Sequence, residues 1–492
     1  MNWRTRSEDR LEKMGEKITL HPKKIILLMI LLSLLIISNI PKITIDTSTE
    51  GFLHESDPAL IRYEKFKEQF GQDEKIMVVV QAKDVFDLEF LKKFKTLHSE
   101  LEENIPHLND ITSLINARNT RGKGDQLIVE DLFENFPTNA QELAEIKKIA
   151  LNNAMYKNLL YNEELTFATI ILEPSAYESS AGGDELEGFG EDEAVDEKAE
   201  FLTDPSKSEM VRAADAIAKK FTSEDFNVFI AGSLAVNDYN KQSVQKDMQK
   251  FVKLVLLMMM IFLFVVFRRI SAVLLPIFIV VISLLTTIGM MALVGTPITI
   301  PTQILPSFLL AVGIGAVVHL LAMFFKHLNE NGDRNAAISY SLGHSGLAII
   351  MTSLTTAAGL LSFATASIAP IADLGIFAAL GVMIALLNTL ILLPAILAIL
   401  PIKPAKASFK EKSQKMDALL KAVADFSFAH AKKIVGVSAV VVVVFVYYAT
   451  SVEFKHDPLS WQPDNSPVKL STAKVDHELR GSVTMEVIID TK

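Results

Sequence analysis

The sequence predicts an α-helical membrane bundle with an inserted α+β domain. The chain of 492 residues is 50% hydrophobic, and its apolar residues gather into long runs instead of spreading evenly. A long polar segment separates the first run from the others. Runs of about 20 apolar residues can cross the roughly 30 Å hydrocarbon core as helices. This distribution is typical of a membrane protein with one large domain outside the bilayer.

Seven apolar runs are expected to span the membrane. They lie near residues 25–45, 251–267, 271–294, 303–325, 339–361, 374–400 and 434–450. The first run lacks a small-residue cleavage site, so we expect a retained anchor and not a removed signal peptide. Three prolines in the spans, Pro276, Pro306 and Pro394, are expected to kink or begin their helices.

Basic residues beside the runs predict the orientation. Lysine and arginine precede the first run and occupy the connections after the second, fourth and sixth runs. Such residues stay on the cytoplasmic side, so the N-terminus is expected inside the cell. The predicted organisation is a cytoplasmic N-terminus (1–24), a first span (25–45), a periplasmic porter-like α+β domain (46–250) with an acidic loop (178–200), a five-helix bundle (251–400), a cytoplasmic linker (401–433), a seventh span (434–450) and the truncated start of a second periplasmic domain (451–492).

The net charge of -10 is therefore an average over two compartments, because most of the excess acid falls in residues 46–250. The chain has no cysteine, which excludes a disulfide framework and a thiolate metal site. This composition fits a bacterial periplasm. The expected location is the bacterial inner membrane.

A long-range repeat links the two ends of the chain. The stretch HPKKI begins at His21, and HAKKI begins 409 residues later at His430. Without a gap, the same interval places Phe52 on Trp461, Glu55 on Asp464, Pro58 on Pro467 and Met77 on Glu486. The chain thus looks like one repeat plus the opening of another, and a complete duplicated protein would have roughly 800 residues. A single strand at 483–490 cannot close a second domain alone.

The segment between the first two spans is predicted to contain βαβ units of ferredoxin-like type. Residues 75–83, 167–174 and 226–232 have strand character. Residues 88–105 and 208–221 carry apolar residues at helical spacing. Strand, helix and strand therefore alternate twice, as in a split βαβ arrangement.

An acidic, glycine-rich stretch at 179–200 is expected to be a solvated, mobile loop. Its GGDEL sequence (182–186) is similar to the signature of diguanylate cyclases. The acidic, low-complexity surroundings and the absence of flanking strand patterns argue against that activity. Weak calcium binding by the clustered carboxylates stays open as an alternative, without the regular spacing of an EF-hand loop.

Four stretches of the spans carry a family resemblance. They are GTPITIPTQILPSFLLAVGIG (295–315), TSLTTAAGLLSF (352–363), APIADLGIFAALGV (369–382) and TLILLPAILAI (389–399). Together with one span, a βαβ domain, five clustered spans and a restart, they resemble the RND superfamily, in particular its MMPL-like and sterol-sensing-domain branch. The resemblance implies a secondary transporter or lipid-handling protein, often driven by a proton gradient.

His319 is the candidate proton-relay residue. In the family that the chain resembles, the fourth span carries an acid shortly before a histidine, and that acid is the expected proton carrier. Here the stretch reads GIGAVVH, with Ala316 and Val317 where the acid would be expected. An imidazole suits proton exchange near neutral pH. Alternatively, His319 is a neutral packing residue that bonds to a hydroxyl group of a neighbouring span.

Polar residues of other spans complete a candidate path. The path candidates are His319, Thr352, Ser353, Thr355, Thr356 and Asn388. The alternative for the hydroxyl groups is a bond to a carbonyl of their own helix. Small residues of the fourth span, namely Ala311, Gly313 and Gly315, are expected to permit close helix packing.

The expected function is proton-driven export or relocation of a hydrophobic or lipid-like molecule by an RND-type transporter, of which this chain is half. The alternatives are a non-transporting lipid-sensing or scaffolding membrane protein and an accessory of protein export. We expect no enzyme activity, since no nucleophile with a base, P-loop or metal-ligand spacing occurs. No cofactor or metal is expected. The expected partners are membrane lipids, a hydrophobic or amphiphilic small molecule, and the second half or a homo-oligomer partner, but no nucleic acid.

Overall fold

The computed structural model describes residues 3–71, 73–123, 126–178, 201–404, 410–453, 459–460 and 462–481. Three predictions lie outside these residues. They concern the acidic loop at 179–200, its GGDEL sequence and the strand at 483–490.

Helices make up most of the described chain. In chain order they are α1 (Trp3–Leu20), α2 (Pro22–Ile37), α3 (Pro58–Phe70), α4 (Leu88–Asn104), α5 (Ala140–Asn152), α6 (Asp204–Phe221), α7 (Ser233–Phe267), α8 (Ser271–Leu293), α9 (Leu305–Asn331), α10 (Arg334–Leu361), α11 (Ala369–Leu387), α12 (Leu393–Ile399), α13 (Lys410–Ala429), α14 (Ala431–Ala449) and α15 (Pro467–Leu479). The strands are β1 (Ile76–Gln81), β2 (Leu108–Thr112), β3 (Arg118–Lys123), β4 (Gln126–Asp131), β5 (Phe167–Pro174) and β6 (Asn227–Ala231).

Seven helical segments of the described chain are long and apolar enough to cross a membrane, which confirms the predicted number. They contain α2, α7, α8, α9, α10, α11 with α12, and α14. The second begins much earlier than predicted, because α7 is one helix of 35 residues that starts directly after β6. Gly232 starts it with φ of 100°, and a Cβ atom there would lie 2.4 Å from the carbonyl oxygen of Lys75.

The centre of the bundle is formed by α8, α9 and α11, whose apolar side chains are buried. Glycines allow these helices to approach closely. A Cβ atom at Gly313 would lie 3.2 Å from Val280 Cγ1, and one at Gly381 would lie 2.6 Å from Leu309 Cδ1. Pro276 lies inside α8, whereas the other two predicted prolines lie in the first turns of α9 and α12.

The N-terminal segment before the first span is helical, which the sequence analysis did not predict. It forms α1, which packs antiparallel along the first half of α10. A Cβ atom at Gly15 would lie 2.8 Å from Ser339 Cα, and one at Gly346 would lie 3.2 Å from Leu11 Cδ1. The charged side chains of α1 stay mostly exposed. This packing depends on small residues of both helices, which the sequence pattern did not single out.

A four-stranded antiparallel sheet in the order β2-β5-β1-β6 forms the α+β domain. The predicted alternation of strands and helices is confirmed, with α4 following β1 and α6 preceding β6. Even-numbered residues of β1, from Ile76 to Val80, face a core shared with α4 and α6. The sequence did not predict β2, the β3–β4 hairpin or α5, which lie between α4 and β5.

The opposite face of the sheet is covered by the C-terminal helix α15. Val475 and Leu479 are buried in one cluster with Val79, Phe167 and Ala231. This contact joins the segment after the seventh span to the α+β domain between the first two spans. No residue of α14 is buried against the described part of the chain.

The two segments related by the 409-residue interval have the same local structure. Pro467 follows Pro58 by 409 positions, and Leu479 follows Phe70 by the same interval, so α3 and α15 begin and end at equivalent positions. Both are N-capped by a side chain, from Asp57 and Ser466. Each is followed by a residue with positive φ, 83° at position 71 and 59° at position 480. A chance match of apolar sequence would not reproduce both caps.

Candidate functional site

The fourth span, α9, exposes one face that differs from a lipid-facing surface. Pro306 lies in its first turn, and Gly332 ends it with φ of 74°. Ala311, Gly315 and His319 lie on one exposed stripe of this helix, four residues apart, as the periodicity predicts. By contrast, α7 exposes leucine, methionine, phenylalanine and valine side chains, which suit contact with lipid. The α9 stripe instead consists of two small residues and one imidazole.

His319 lies near the middle of the 27 residues of α9, but on the surface of the bundle and not inside it. No hydrogen-bond partner of its imidazole lies among the described residues. A Cβ atom at Gly315 would meet nothing within 4 Å. Within this chain, Ala311 and Gly315 do not serve the expected helix contact, whereas Gly313 packs against Val280.

The hydroxyl groups of α10 bond to their own helix. Thr352 Oγ1 donates to the carbonyl oxygen of Ala348 at 2.8 Å, and Thr355 Oγ1 donates to that of Met351 at 2.9 Å. Both side chains are exposed, while Ser353 is buried and Thr356 is half-buried. No hydrogen bond joins these residues to His319 in the described part of the chain. The exposed residues of α9 and of the adjacent helix α10 are together called the open face, and its hydroxyl groups can still accept further bonds.

Asn388 is separate from this face. It is buried at the start of the π-helical turn Asn388–Leu392, where the backbone of the sixth span changes from α11 to α12. Its Nδ2 donates to Ser283 Oγ of α8 at 2.8 Å, and Ser283 Oγ donates to the carbonyl oxygen of Ile279 at 2.7 Å. Its partners therefore lie in the centre of the bundle, and it is not joined to the hydroxyl groups of α10.

Aromatic rings that the sequence reasoning missed connect α9 and α10 at one end of the open face. The His327 ring stacks on Tyr340 with centroids 4.1 Å apart, and Tyr340 stacks on His344 at 3.8 Å. The spacing of Tyr340 and His344, four residues apart on a helix, was the available signal. Only the His327–Tyr340 pair crosses between the two helices, since His344 lies on α10 together with Tyr340.

A third histidine that was missed lies near the other end of α10. His54 Nε2 is 2.9 Å from the carbonyl oxygen of Ala366, in the connection between α10 and α11. His54 is also within electrostatic range of Asp373 on α11. This contact ties the segment that follows the first span to the bundle. Nothing in the local sequence around His54 indicates it.

The exposed imidazole of His319 is chemically unsuited to lipid. A polar group without a partner in hydrocarbon costs several kcal/mol, and ionisable side chains within spans mostly face protein or water. Small residues at the same surface allow another helix to approach closely. Another helix with a polar surface can therefore pack on the open face. An imidazole between two such helices can exchange a proton with polar groups of either helix.

Comparisons with known proteins found one similarity that covers this region and one that covers most of the chain. The model of the MMPL family matches residues 200–445, which is half of the chain and contains both α9 and α10. A membrane protein of Methanocaldococcus jannaschii is 24% identical over 389 residues. That alignment covers 77% of this chain and 91% of the relative.

Proposed function

Because the chain belongs to the MMPL family of transporters, we propose that it is one repeat of a secondary transporter that moves hydrophobic or lipid-like molecules. The observation that carries the proposal is the open face of α9 and α10 (Ala311, Gly315, His319, Thr352 and Thr355). A second repeat covers this face in the working protein. The transport pathway then lies between two halves that rock against each other.

The physical argument starts from His319. An imidazole at mid-span lacks water, and the described part of this chain gives it no hydrogen-bond partner. Covering the face with a second polar span satisfies the imidazole and buries the small residues beside it. Titration of His319 between the two halves then couples proton movement to transport, with the hydroxyl groups of α10 as neighbours.

The substrate class follows from the membrane setting. A transporter whose pathway lies between two apolar bundles is better suited to molecules that partition into lipid than to ions. Exposed apolar surfaces on α7 and α8 give such molecules access from the bilayer. The proposal therefore concerns amphiphilic or lipid-like cargo, moved under a proton gradient.

The test is made in the complete protein, reconstituted in vesicles with an imposed proton gradient and a hydrophobic dye as cargo. His319→Gln removes the titration but keeps a group that donates and accepts, so gradient-driven efflux should be lost while insertion is normal. His344→Gln is the matched control. It removes an imidazole of the neighbouring helix near the end of the face, and efflux should persist.

The opposite results would assign His319 a packing role. Near-normal efflux by the Gln variant, with loss of stability in His319→Leu of about 1–3 kcal/mol, would eliminate it as the relay. Absence of gradient-dependent efflux from the unmodified complete protein would reject the transport proposal itself. It would favour a lipid-sensing or scaffolding role.

A further inference from the structure

Asp373 is an acidic side chain in an otherwise apolar span. It lies in the segment Ala369–Ile399, which is long and apolar enough to cross a membrane. The helix α11 carries no other ionisable side chain and no hydroxyl group. The Asp373 side chain is half-buried. Because a charged group within a span is costly, such residues mostly mark the path of an ion or a proton.

The local structure does not explain Asp373 as a helix cap. Ile368 is the N-cap of α11, so Asp373 is the fifth residue of the helix. The free backbone amides and the favourable effect of the helix dipole are confined to about the first turn. No hydrogen bond joins the carboxylate to another residue within the described ranges. A role in stabilising the start of α11 is therefore not supported.

His54 is the ionisable neighbour of Asp373. Its Nε2 lies 2.9 Å from the carbonyl oxygen of Ala366, and its ring interacts electrostatically with Asp373. Because a carbonyl oxygen only accepts, Nε2 carries a hydrogen, and Nδ1 is the basic atom of the neutral ring. Both Nδ1 of His54 and the carboxylate of Asp373 can therefore bind a proton. A proton on one group changes the affinity of the other, so the two titrate as a pair.

Other charged groups do not compete with this pair in the described part of the chain. The elements packed on α11 include α8, α9, α10 and three 3-10 turns at 50–52, 302–304 and 362–365. Helix α8, the first half of α9 and the second half of α10 carry no ionisable side chain. The turns contribute one charged residue, Glu50, which accepts from Lys67 Nζ at 2.6 Å. Next to His54 in sequence, Glu55 is exposed and Asp57 caps α3.

Polar and small residues lead from this pair to the open face. Beyond Ala366, the exposed residues Ser362, Gly359 and Thr355 are spaced for one side of α10 and its C-terminal turn. Ser362 Oγ donates to the carbonyl oxygen of Gly359 at 2.6 Å, and Thr355 Oγ1 donates to that of Met351 at 2.9 Å. The lone pairs of both hydroxyl groups stay available to water. A hydrated row of groups can therefore join the end of α10 to the middle of the span.

We propose that His54 and Asp373 form the proton-uptake site of the transporter, on the side of the bundle that carries the α+β domain. A proton from water binds to Nδ1 of His54 or to the carboxylate of Asp373, and it leaves along the exposed side of α10 toward His319. The neutral carboxyl group is the form that suits an apolar span. The role in transport rests on the proposed function, whereas proton binding by the pair does not.

The test uses the complete protein as its gene encodes it, in native membranes, with dicyclohexylcarbodiimide as the probe. This lipid-soluble reagent modifies carboxyl groups that bind protons in apolar surroundings. Mass spectrometry of the digested protein measures the modified fraction of Asp373 as a function of pH. The positive control is Leu380→Glu, which places a carboxyl group at a 40% exposed position of α11. The negative control is Glu330, which is exposed at the end of α9.

We expect Asp373 to be modified at low pH and protected as pH rises, while Glu330 stays unmodified. His54→Gln keeps a donor for the carbonyl oxygen of Ala366, but it removes the positive charge that favours the ionised carboxylate. Modification of Asp373 at about pH 6 should therefore increase by about two- to tenfold in this variant. A histidine that only ties the linker to the bundle would leave the pH profile unchanged, and that result would overturn the pair.

Transport is the second readout. Asp373→Asn should insert normally and lose gradient-driven efflux, whereas Glu330→Gln should keep it. An unmodified Asp373, with a reactive Leu380→Glu control, would overturn the proposal, and so would normal efflux by Asp373→Asn. If the unsubstituted protein lacks efflux but Asp373 shows the expected pH profile, the proposed function fails and the proton-binding pair is supported.

Discussion

The side-chain amide of Asn162 donates to the carboxylate of Glu478 at 3.1 Å, across 316 positions of the chain. Asn162 itself holds the turn before β5, because its Oδ1 accepts from the backbone amides of Thr166 and Phe167. The contact therefore connects α15 to a rigid part of the α+β domain. It makes the segment after the seventh span a structural part of the first domain.

The first prediction concerns this docking. Leu479→Ala removes a side chain that is 3% exposed on the sheet, so it should destabilise the α15 contact by about 2–5 kcal/mol. Amide hydrogen exchange of α15 and β6 should increase. Leu470→Ala is the control on the same helix, because Leu470 is 53% exposed. Equal effects of the two substitutions would contradict the observed packing.

The second prediction concerns the buried amide of the sixth span. Asn388→Leu removes the bond to Ser283 between α11 and α8, and should lower the stability of the detergent-solubilised protein by about 0.5–2 kcal/mol. Thr389→Val should have a smaller effect, since Thr389 Oγ1 donates to Ala385 within its own helix. Thermal unfolding measures both. A larger loss in Thr389→Val would show that the interhelical bond contributes little.

The third prediction concerns pH. Glu178 accepts hydrogen bonds from Ser206 Oγ and from the hydroxyl and amide of Thr203, and these bonds lower its pKa to about 2. Because the pKa in the folded state lies below the ordinary value of about 4.3, the stabilisation is present above that value and is lost as pH falls toward 2. The Glu178 carboxylate accepts these hydrogen bonds at the N-terminal end of α6.

Accordingly, Glu178→Gln should lower the free energy of unfolding by about 1 kcal/mol at neutral pH. The difference from the unmodified protein should shrink as pH falls from about 5 to about 2. Glu209→Gln, at an exposed position of α6, is the control and should show no such trend. A difference that stays constant over this pH range would exclude ionisation of Glu178 as the cause.

The fourth prediction concerns the orientation of the chain in the membrane. The distribution of basic residues beside the spans is the only support for it. A single cysteine at Lys83, whose side chain is 90% exposed in the α+β domain, should react with an impermeant maleimide on intact cells. One at Glu330, exposed at the end of α9, should react only after the membrane is opened. Reaction at Glu330 and protection at Lys83 would reverse the topology and reject the periplasmic assignment.

Sequence patterns determined the features that depend on local chemistry. Apolar runs identified seven spans, because length and hydropathy decide whether a helix can cross a membrane. Alternating and helical periodicities located β1, β5, β6, α4 and α6, because each buries one face. The repeat interval placed Pro58 on Pro467, and the structure shows that these prolines begin the equivalent helices α3 and α15. The extra hairpin β3–β4 was missed because β3 is polar and the short apolar run of β4 does not alternate with polar residues.

Only the tertiary structure decided which side chains meet. The sequence placed His319 within a span, but its position on an open face depends on how α8, α10 and α11 surround α9. The sequence likewise indicated a polar role for Asn388, but it did not indicate the bond to Ser283. That bond requires the two residues to lie at the same depth in neighbouring spans. The docking of α1 on α10 and of α15 on the sheet has the same origin. Such contacts join residues far apart in sequence, and the free energy of burial depends on the fit between surfaces that no local pattern contains.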